Sequence, residues 1–298
     1  MSVMKGNKMK EKIHFATIGC GRLGTNLSIR LKEAGHIPVG LSARHLESMK
    51  PFNDIIKAPK IDTVPWKITS GANVVFITTP DDCISEVCNQ LVEKKCFHAN
   101  TILYHCSGSL SSEALSAART SGLNIGSLHP LQSFPVRIIK PNPFEGIFVS
   151  IEGSPLAIEV GKQIVMDLKA KVVEISTEGK KLYHAAAVAA SNYLVTLLNM
   201  AKQFNIASGM SEEVSLAVLK PLIQGTLNNI EKQGITDALT GPISRGDIQT
   251  IKNHIEQINT KKPEFSKLYK ILGQHTTLIA KKSLSENMAL LLNEILET

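Results

Sequence analysis

Ile13-His14-Phe15-Ala16-Thr17-Ile18-Gly19-Cys20-Gly21-Arg22-Leu23-Gly24 decides the fold of this chain. Its first six residues form an apolar run that reads as a strand. Its last six spell G-x-G-x-x-G, and Leu23, Leu27, Ile29 and Leu31 then follow at helix-like spacing up to Gly35. Strand, glycine turn and helix in this order predict a dinucleotide cradle. The first glycine permits the tight turn, the second admits a pyrophosphate, and the third lets helix pack on strand. The same six residues also fit an ordinary glycine-rich turn between a strand and a helix. In the cradle reading Gly19, Cys20, Gly21, Arg22, Leu23 and Gly24 are cofactor-binding, and the helix N-terminus offers free N–H groups to phosphate.

Ile37-Pro38-Val39-Gly40-Leu41 reads as the second strand. A dinucleotide with a free 2′-hydroxyl usually meets an acidic residue where that strand ends. Here Ser42-Ala43-Arg44-His45 follows instead, and the first carboxylate is Glu47. Arg44 can fork onto a 2′-phosphate with Ser42 adding a hydroxyl, and Arg22 can add charge. NADP(H) is therefore the expected cofactor.

Further strands are expected over 73–78, 101–105, 124–128, 146–151 and 171–175, with helices at 83–93, 114–119 and 155–168 between them. Asp81 or Asp82 is expected to cap the helix that begins near Cys83. Alternation of this kind predicts an α/β fold with a doubly wound parallel sheet. Ligands in such sheets bind beyond the carboxyl ends of the strands. The tails there are Thr79-Pro80-Asp81, His105-Cys106-Ser107-Gly108-Ser109 and His129-Pro130-Leu131-Gln132-Ser133-Phe134. Thr79, Pro80, Ser107 and His129 are accordingly expected to line the cofactor crevice.

No strand signal follows Ser176. Helices are expected over 180–204, 212–233, 247–258 and 264–282, giving a boundary at 176/177: a Rossmann domain over 1–176, then an all-α domain over 177–298. In 180–193 the residues Lys180, His184 and Asn192 fall on one side of an alanine-rich helix. A lysine half out of water can act as a general acid, and His184 can shuttle a proton or orient it. Asn192 can meet a substrate oxygen. The same spacing also fits a solvated helix start followed by close helix packing. In Thr240-Gly241-Pro242-Ile243-Ser244-Arg245-Gly246-Asp247, Asp247 is a candidate N-cap, and Arg245 can bind a carboxylate or pair with Asp247.

The chain has 298 residues, 43% of them hydrophobic and 20% charged, which suits a soluble globular protein. Met1 to Lys12 is lysine-rich without an apolar core, which predicts a frayed tail rather than a signal peptide. The net charge of +7 suits anionic small molecules, and part of it sits in pairs such as Lys94-Lys95, Lys180-Lys181 and Lys281-Lys282. No basic stripe with interleaved aromatics points to nucleic acid. No run is long enough for a membrane span. Five cysteines without C-x-x-C spacing predict reduced thiols in a cytoplasmic protein and no metal site. Cys20 and Cys106 are either reactive or, more simply, small buried filler.

Together the glycine loop, His105–Ser109, Leu128–Phe134, Leu182–Ala187, Ser191-Asn192-Tyr193 and Thr240–Asp247 resemble the Rossmann-like/DUF2520 family of NADP oxidoreductases, over nearly the whole chain. The resemblance implies a fold of the 6-phosphogluconate dehydrogenase-like type, with a Rossmann domain and a helical domain that dimerises. It also implies acid–base work by a Lys-x-x-x-Asn pair, in which Lys180 matches the lysine and His184 replaces the asparagine. Some members resemble an alternative class of ketopantoate reductase, an enzyme of pantothenate synthesis. The expected catalytic residues are Lys180, His184, Asn192 and Ser107, acting on a small anionic 2-oxo acid. Rival expectations are an imine or F420-dependent reductase, a non-catalytic NADP(H) sensor and a structural dimerisation module.

Overall fold

The computed structural model describes residues 12–280 and 283–297. Most of the expected N-terminal tail, and the Lys281-Lys282 pair, lie outside them. The described residues fall into two compact units divided after Val188. That division lies beyond the 176/177 boundary expected from the last strand signal, so Lys180 and His184 belong to the first unit and Asn192 to the second.

The first unit carries the strands β1 (His14–Ile18), β2 (Ile37–Ser42), β3 (Lys60–Asp62), β4 (Val74–Ile77), β5 (Ile102–His105), β6 (Asn124–Pro130), β7 (Phe148–Gly153) and β8 (Lys171–Glu174). They form one sheet in the order β3-β2-β1-β4-β5-β6-β7-β8. Its helices are α1 (Arg22–Glu33), α2 (Lys50–Ile56), α3 (Asp81–Glu93), α4 (Ser116–Thr120), α5 (Pro155–Asp167) and α6 (Lys180–Val188).

Both faces of the sheet are covered, and strict alternation along the central strands divides the core in two. Phe15, Phe76 and Tyr104 point to the side of Leu27 and Leu31 of α1 and Ile164 and Val165 of α5. Ala16, Ile18, Val75, Ile77 and Leu103 point to the side of Ile84, Cys88 and Leu91 of α3. Burial on both faces explains why these strands read as continuous apolar runs.

The sheet departs from the all-parallel expectation in one place. β7 pairs antiparallel with β6, and β8 pairs parallel with β7. A parallel β6–β7 pair needs a crossover, normally helical, whereas residues 131–147 form no helix and simply turn the chain back. The β3 strand and α2 escaped the sequence reading because three residues and a proline-bearing single helix carry little periodicity.

The second unit is helical: α7 (Leu194–Ala207), α8 (Glu212–Ser215), α9 (Lys220–Ala238), α10 (Ile248–Lys261), α11 (Ser266–Ile279) and α12 (Glu286–Glu297). The single helix expected over 180–204 is interrupted by a π-helical turn at Ala189–Tyr193. That turn changes the residues per turn before Asn192 is reached, so the row of Lys180, His184 and Asn192 is not sustained by α-helical spacing. Ile251, Leu292 and Leu296 form the centre of a core in this unit. Asp247 caps α10 as expected, accepting the Thr250 N–H at 3.1 Å and the Thr250 hydroxyl at 2.7 Å. No helix among the described residues is long and apolar enough to cross a membrane.

Candidate active site

The order 3-2-1-4 reverses strand direction of travel between β1 and β4, and the crevice beyond their carboxyl ends is where such sheets take ligands. Gly19 has φ +102°, a conformation side-chain-bearing residues rarely adopt. Its N–H donates to Ser42 O at 2.8 Å, and its O accepts the Thr78 hydroxyl at 2.7 Å, which ties the loop to the ends of β2 and β4. A Cβ on Gly24 would sit 2.2 Å from Gly19 O and 2.4 Å from Thr78 Oγ1, so the third glycine is demanded by packing. A Cβ on Gly21 would meet no protein atom within 4 Å. Gly21 instead borders a cavity of about 600 Å³, and a side chain there would point toward the place a ligand must occupy.

Among the described residues this cavity is lined by the glycine loop, Ser42, Arg44, Ser48, Thr79, Pro80 and Arg137, and by no carboxylate. Glu47 is turned away onto Lys50 at 2.7 Å. The lining therefore fits a phosphate-bearing dinucleotide: backbone for the pyrophosphate, and hydroxyls with guanidinium groups for a further phosphate. Arg22, expected to add charge, does not border the cavity; it begins α1 on the exposed surface. Arg137, from the 131–147 connection, does border it and went unnoticed in the sequence, because it lies far from every motif.

A second cavity of about 290 Å³ adjoins the first at Thr78 and Thr79. Leu23, Asp81, Cys106, Ser107, Gly108, His129, Phe134 and His184 are among its walls. The His129 and His184 rings lie edge to face with centroids 6.0 Å apart. Gly108 makes that possible: a Cβ there would fall 2.5 Å from His184 Nδ1 and 2.7 Å from His129 Nε2. Thr79 Oγ1 and His184 Nδ1 are buried without a hydrogen-bond partner among the described residues. Buried polar atoms are nearly always satisfied, so two such atoms bordering one cavity mark a place for a polar ligand.

Burial, and after it the charge of Lys180, lowers the His129 pKa to about 4, so this imidazole is neutral near pH 7. Its Nδ1 is 3.3 Å from Tyr183 Oη, and burial keeps that phenol protonated. The phenol can thus donate to Nδ1, leaving Nε2–H beside Gly108 as a donor. His105 is held below the cavity. Its Nε2–H donates to Ser111 O at 2.9 Å and its Nδ1 accepts the Ser107 N–H at 3.2 Å, with burial lowering its pKa to about 4.

Ser107 has its hydroxyl fully engaged. It donates to Asp81 Oδ2 at 2.8 Å and accepts the N–H groups of Ser109 and Leu110 at 3.1 and 3.0 Å. Ser107 borders the cavity, and its hydroxyl ties the 107–110 turn to Asp81. Asp81 does not cap α3; its carboxylate also accepts the Ser109 hydroxyl at 2.6 Å.

Lys180 does not border the cavity. It is fully buried, and its Nζ donates to Ser127 Oγ at 2.6 Å. Ser127 Oγ in turn is 3.5 Å from Ser107 O. The sequence expectation places Lys180 in direct contact with a ligand, whereas here its ammonium stands behind the wall formed by Ser127 and Ser107. Burial lowers its pKa to about 8, against the opposing pull of Glu152, Cys106 and Asp81. Glu152 is buried too and accepts Ser112 N–H and Ser112 Oγ, each at 2.7 Å, and Thr177 Oγ1 at 3.1 Å. Glu152→Gln removes a charge and turns one acceptor into a donor, so urea unfolding should show a loss of about 1–3 kcal/mol. An unchanged midpoint would mean that these three contacts do not hold the site. A carboxylate inside the apolar strand Phe148–Gly153 is the sequence signal that marks this position. Cys20 and Cys106 are buried and their thiols pushed up to about 12, chiefly by burial, which makes them inert filler. Asn192 is exposed in the second unit.

A glycine-loop nucleotide fold followed by a helical unit, with a histidine-walled cavity at the end of the crevice, defines a two-domain Rossmann-type protein. Residues 3–130 match the Rossmann-like domain, and residues 147–276 match DUF2520, a domain of unknown function. The chain thus carries a Rossmann-like domain followed by a DUF2520 domain. BF3122 from Bacteroides fragilis, assigned as an NADP oxidoreductase, is similar at 23% identity and a TM-score of 0.72, covering 91% of this chain and 98% of its own. Protein TM1727 from Thermotoga maritima is 26% identical with a TM-score of 0.71, covering 90% and 98%. The pyrroline carboxylate reductase of Plasmodium falciparum, solved with NADP bound, shares the fold at 14% identity and a TM-score of 0.60, covering 94% and 99%. No curated protein matches the sequence.

Proposed function

We propose that this protein is an NADPH-dependent reductase of a small 2-oxo acid, with ketopantoate (2-dehydropantoate), reduced to pantoate, as its substrate. The observation that carries the reductase assignment is the small cavity that opens off the dinucleotide crevice at Thr78 and Thr79 and holds two unpartnered polar atoms. The cofactor assignment draws support from the absence of a carboxylate in the crevice lining, from Arg44 and Ser42, and from fold relatives described as NADP oxidoreductases or solved with NADP. The substrate follows the family resemblance and the positive charge behind the cavity wall.

When bound, NADPH supplies a hydride to the carbonyl carbon. The protein's share is positioning and charge. Thr79 Oγ1 and His129 Nε2–H can hydrogen-bond the substrate's oxygens. His184 borders the cavity and can relay a proton from solvent to the alkoxide, while the Lys180 ammonium stabilises that developing charge from the interior. Leu23, Pro130 and Phe134 border the cavity and keep water from the reacting centre. The second unit exposes the apolar side chains Val195, Leu222, Ile235 and Leu290, and the family resemblance implies dimerisation through this helical unit. Light scattering should report a dimer, and a monomer at micromolar concentration would exclude that role for the helices.

NADPH oxidation measured with ketopantoate, other 2-oxo acids and cyclic imines tests the assignment, alongside rescue of a pantothenate auxotroph. Turnover of ketopantoate with rescue supports it. Turnover of cyclic imines alone would place the protein with the pyrroline-carboxylate reductases it resembles in fold. Tight NADPH binding without turnover of any of them would make it a sensor.

A further inference from the structure

Arg137 sits on a stretch of chain without secondary structure, yet that stretch is fastened on both sides of it. The buried Asn26 side chain of α1 donates from Nδ2 to Val136 O at 3.2 Å and accepts the Ile139 N–H on Oδ1 at 3.0 Å. Arg30, one turn further along α1, donates to Ile139 O at 2.6 Å. The helix whose N-terminus forms the phosphate cradle thus also holds the connection that follows β6, and Arg137 projects from between the clamped residues into the wall of the same crevice. Its guanidinium carbon lies 5.4 Å from the centroid of the Phe52 ring, close enough for cation–π attraction. Phe52 packs beside the core residues Cys20, Leu41 and Met49, which underlie the glycine loop and the end of β2.

Among the described residues Arg137 forms no ion pair, and no carboxylate borders the crevice. A guanidinium so placed has its forked N–H donors free for an anion. The anion that belongs near Ser42 and Arg44 in a dinucleotide crevice is the substituent on the adenosine ribose. We propose that Arg137, together with Arg44, binds the 2′-phosphate of the dinucleotide, and that the Asn26–Arg30 clamp holds Arg137 ready for it. Arg137 is then a specificity residue for the phosphorylated cofactor. Clamping the loop in the free protein removes an ordering cost from binding. This inference rests on the dinucleotide reading of the crevice given above.

The test is calorimetric titration of the full chain with NADPH and with NADH. Wild-type protein should prefer NADPH. Arg137→Gln should weaken NADPH about tenfold, the usual effect of losing one charge-assisted contact, and leave NADH within about twofold. Arg137→Lys, which keeps the charge without the fork, should recover part of the loss. Combining Arg137→Gln with Arg44→Gln should weaken NADPH about a hundredfold and abolish the preference. Unchanged NADPH affinity in Arg137→Gln would overturn the proposal, as would an equal loss for both dinucleotides, which would move Arg137 to the shared part of the ligand. If wild-type protein binds both equally, the phosphate assignment fails while the crevice remains a dinucleotide site. If it binds neither, the reading of the crevice fails as well.

Discussion

Replacing Lys180 with methionine is expected to lower kcat about 10²- to 10³-fold while leaving the Kd for NADPH within about twofold. Methionine fills a similar volume in the fully buried position, so the fold should persist while the charge is lost. The wild-type pH profile should carry a matching signature. With a pKa of about 8, the ammonium is lost as pH rises through that value, and kcat should fall with it. The methionine variant should lack this alkaline limb. Stability should move in the opposite sense. Below about pH 8 the lysine is protonated both folded and unfolded, and its contribution is flat. Between about 8 and the ordinary 10.5 the unfolded chain binds the extra proton, so this group makes stability rise with pH. The rise should be present in wild-type urea midpoints and missing from the variant. A variant with full kcat, or a wild-type profile flat across pH 8 to 9.5, would remove Lys180 from the reaction. His184→Gln should also lower kcat, but without abolishing the limb near pH 8, because the two groups act from opposite sides of the cavity wall.

Two alanine substitutions in the glycine loop should separate ligand from packing. Gly21 has φ −77°, acceptable to alanine, and open space where a Cβ would go. Gly21→Ala should keep the thermal midpoint and lose NADPH affinity by about a hundredfold, since the methyl enters the path of the pyrophosphate. Gly24→Ala drives a methyl against the Gly19 carbonyl and the Thr78 hydroxyl. It should cost about 1–3 kcal/mol of stability, because backbone cannot yield as a side-chain tip can. Normal NADPH binding by the folded Gly21→Ala variant would show that the cavity at the glycine loop does not take the pyrophosphate. Normal stability in Gly24→Ala would show that helix and strand are less close than they stand here.

Much of the first unit was legible because its signals are local. The glycine loop needs one residue at positive φ and one without a side chain at a helix–strand contact, and both demands fall within six residues. The absence of a carboxylate before Glu47 is equally local, and Glu47 indeed stays out of the crevice. The direction of β7 was not legible, since periodicity reports a strand but not its partner's sense. The pairing of Ser107 with Asp81 was not legible for a related reason. Each residue type was read for what it can do alone, whereas the two are 26 positions apart and satisfy each other.

The amino-acid order by itself determined a Rossmann-like first half and a helical second half, and it carries the expectation of an anionic, phosphorylated dinucleotide. Those properties follow from backbone conformation, hydrophobic period and charge type, which act between near neighbours. Only the tertiary structure decided that Lys180 is buried against Ser127, that His129 and His184 share a wall across Gly108, and that Arg137 reaches the crevice. Each of these is a contact between segments dozens of residues apart, set by how the strand ends converge, and nothing in the spacing of residues along the chain encodes that convergence.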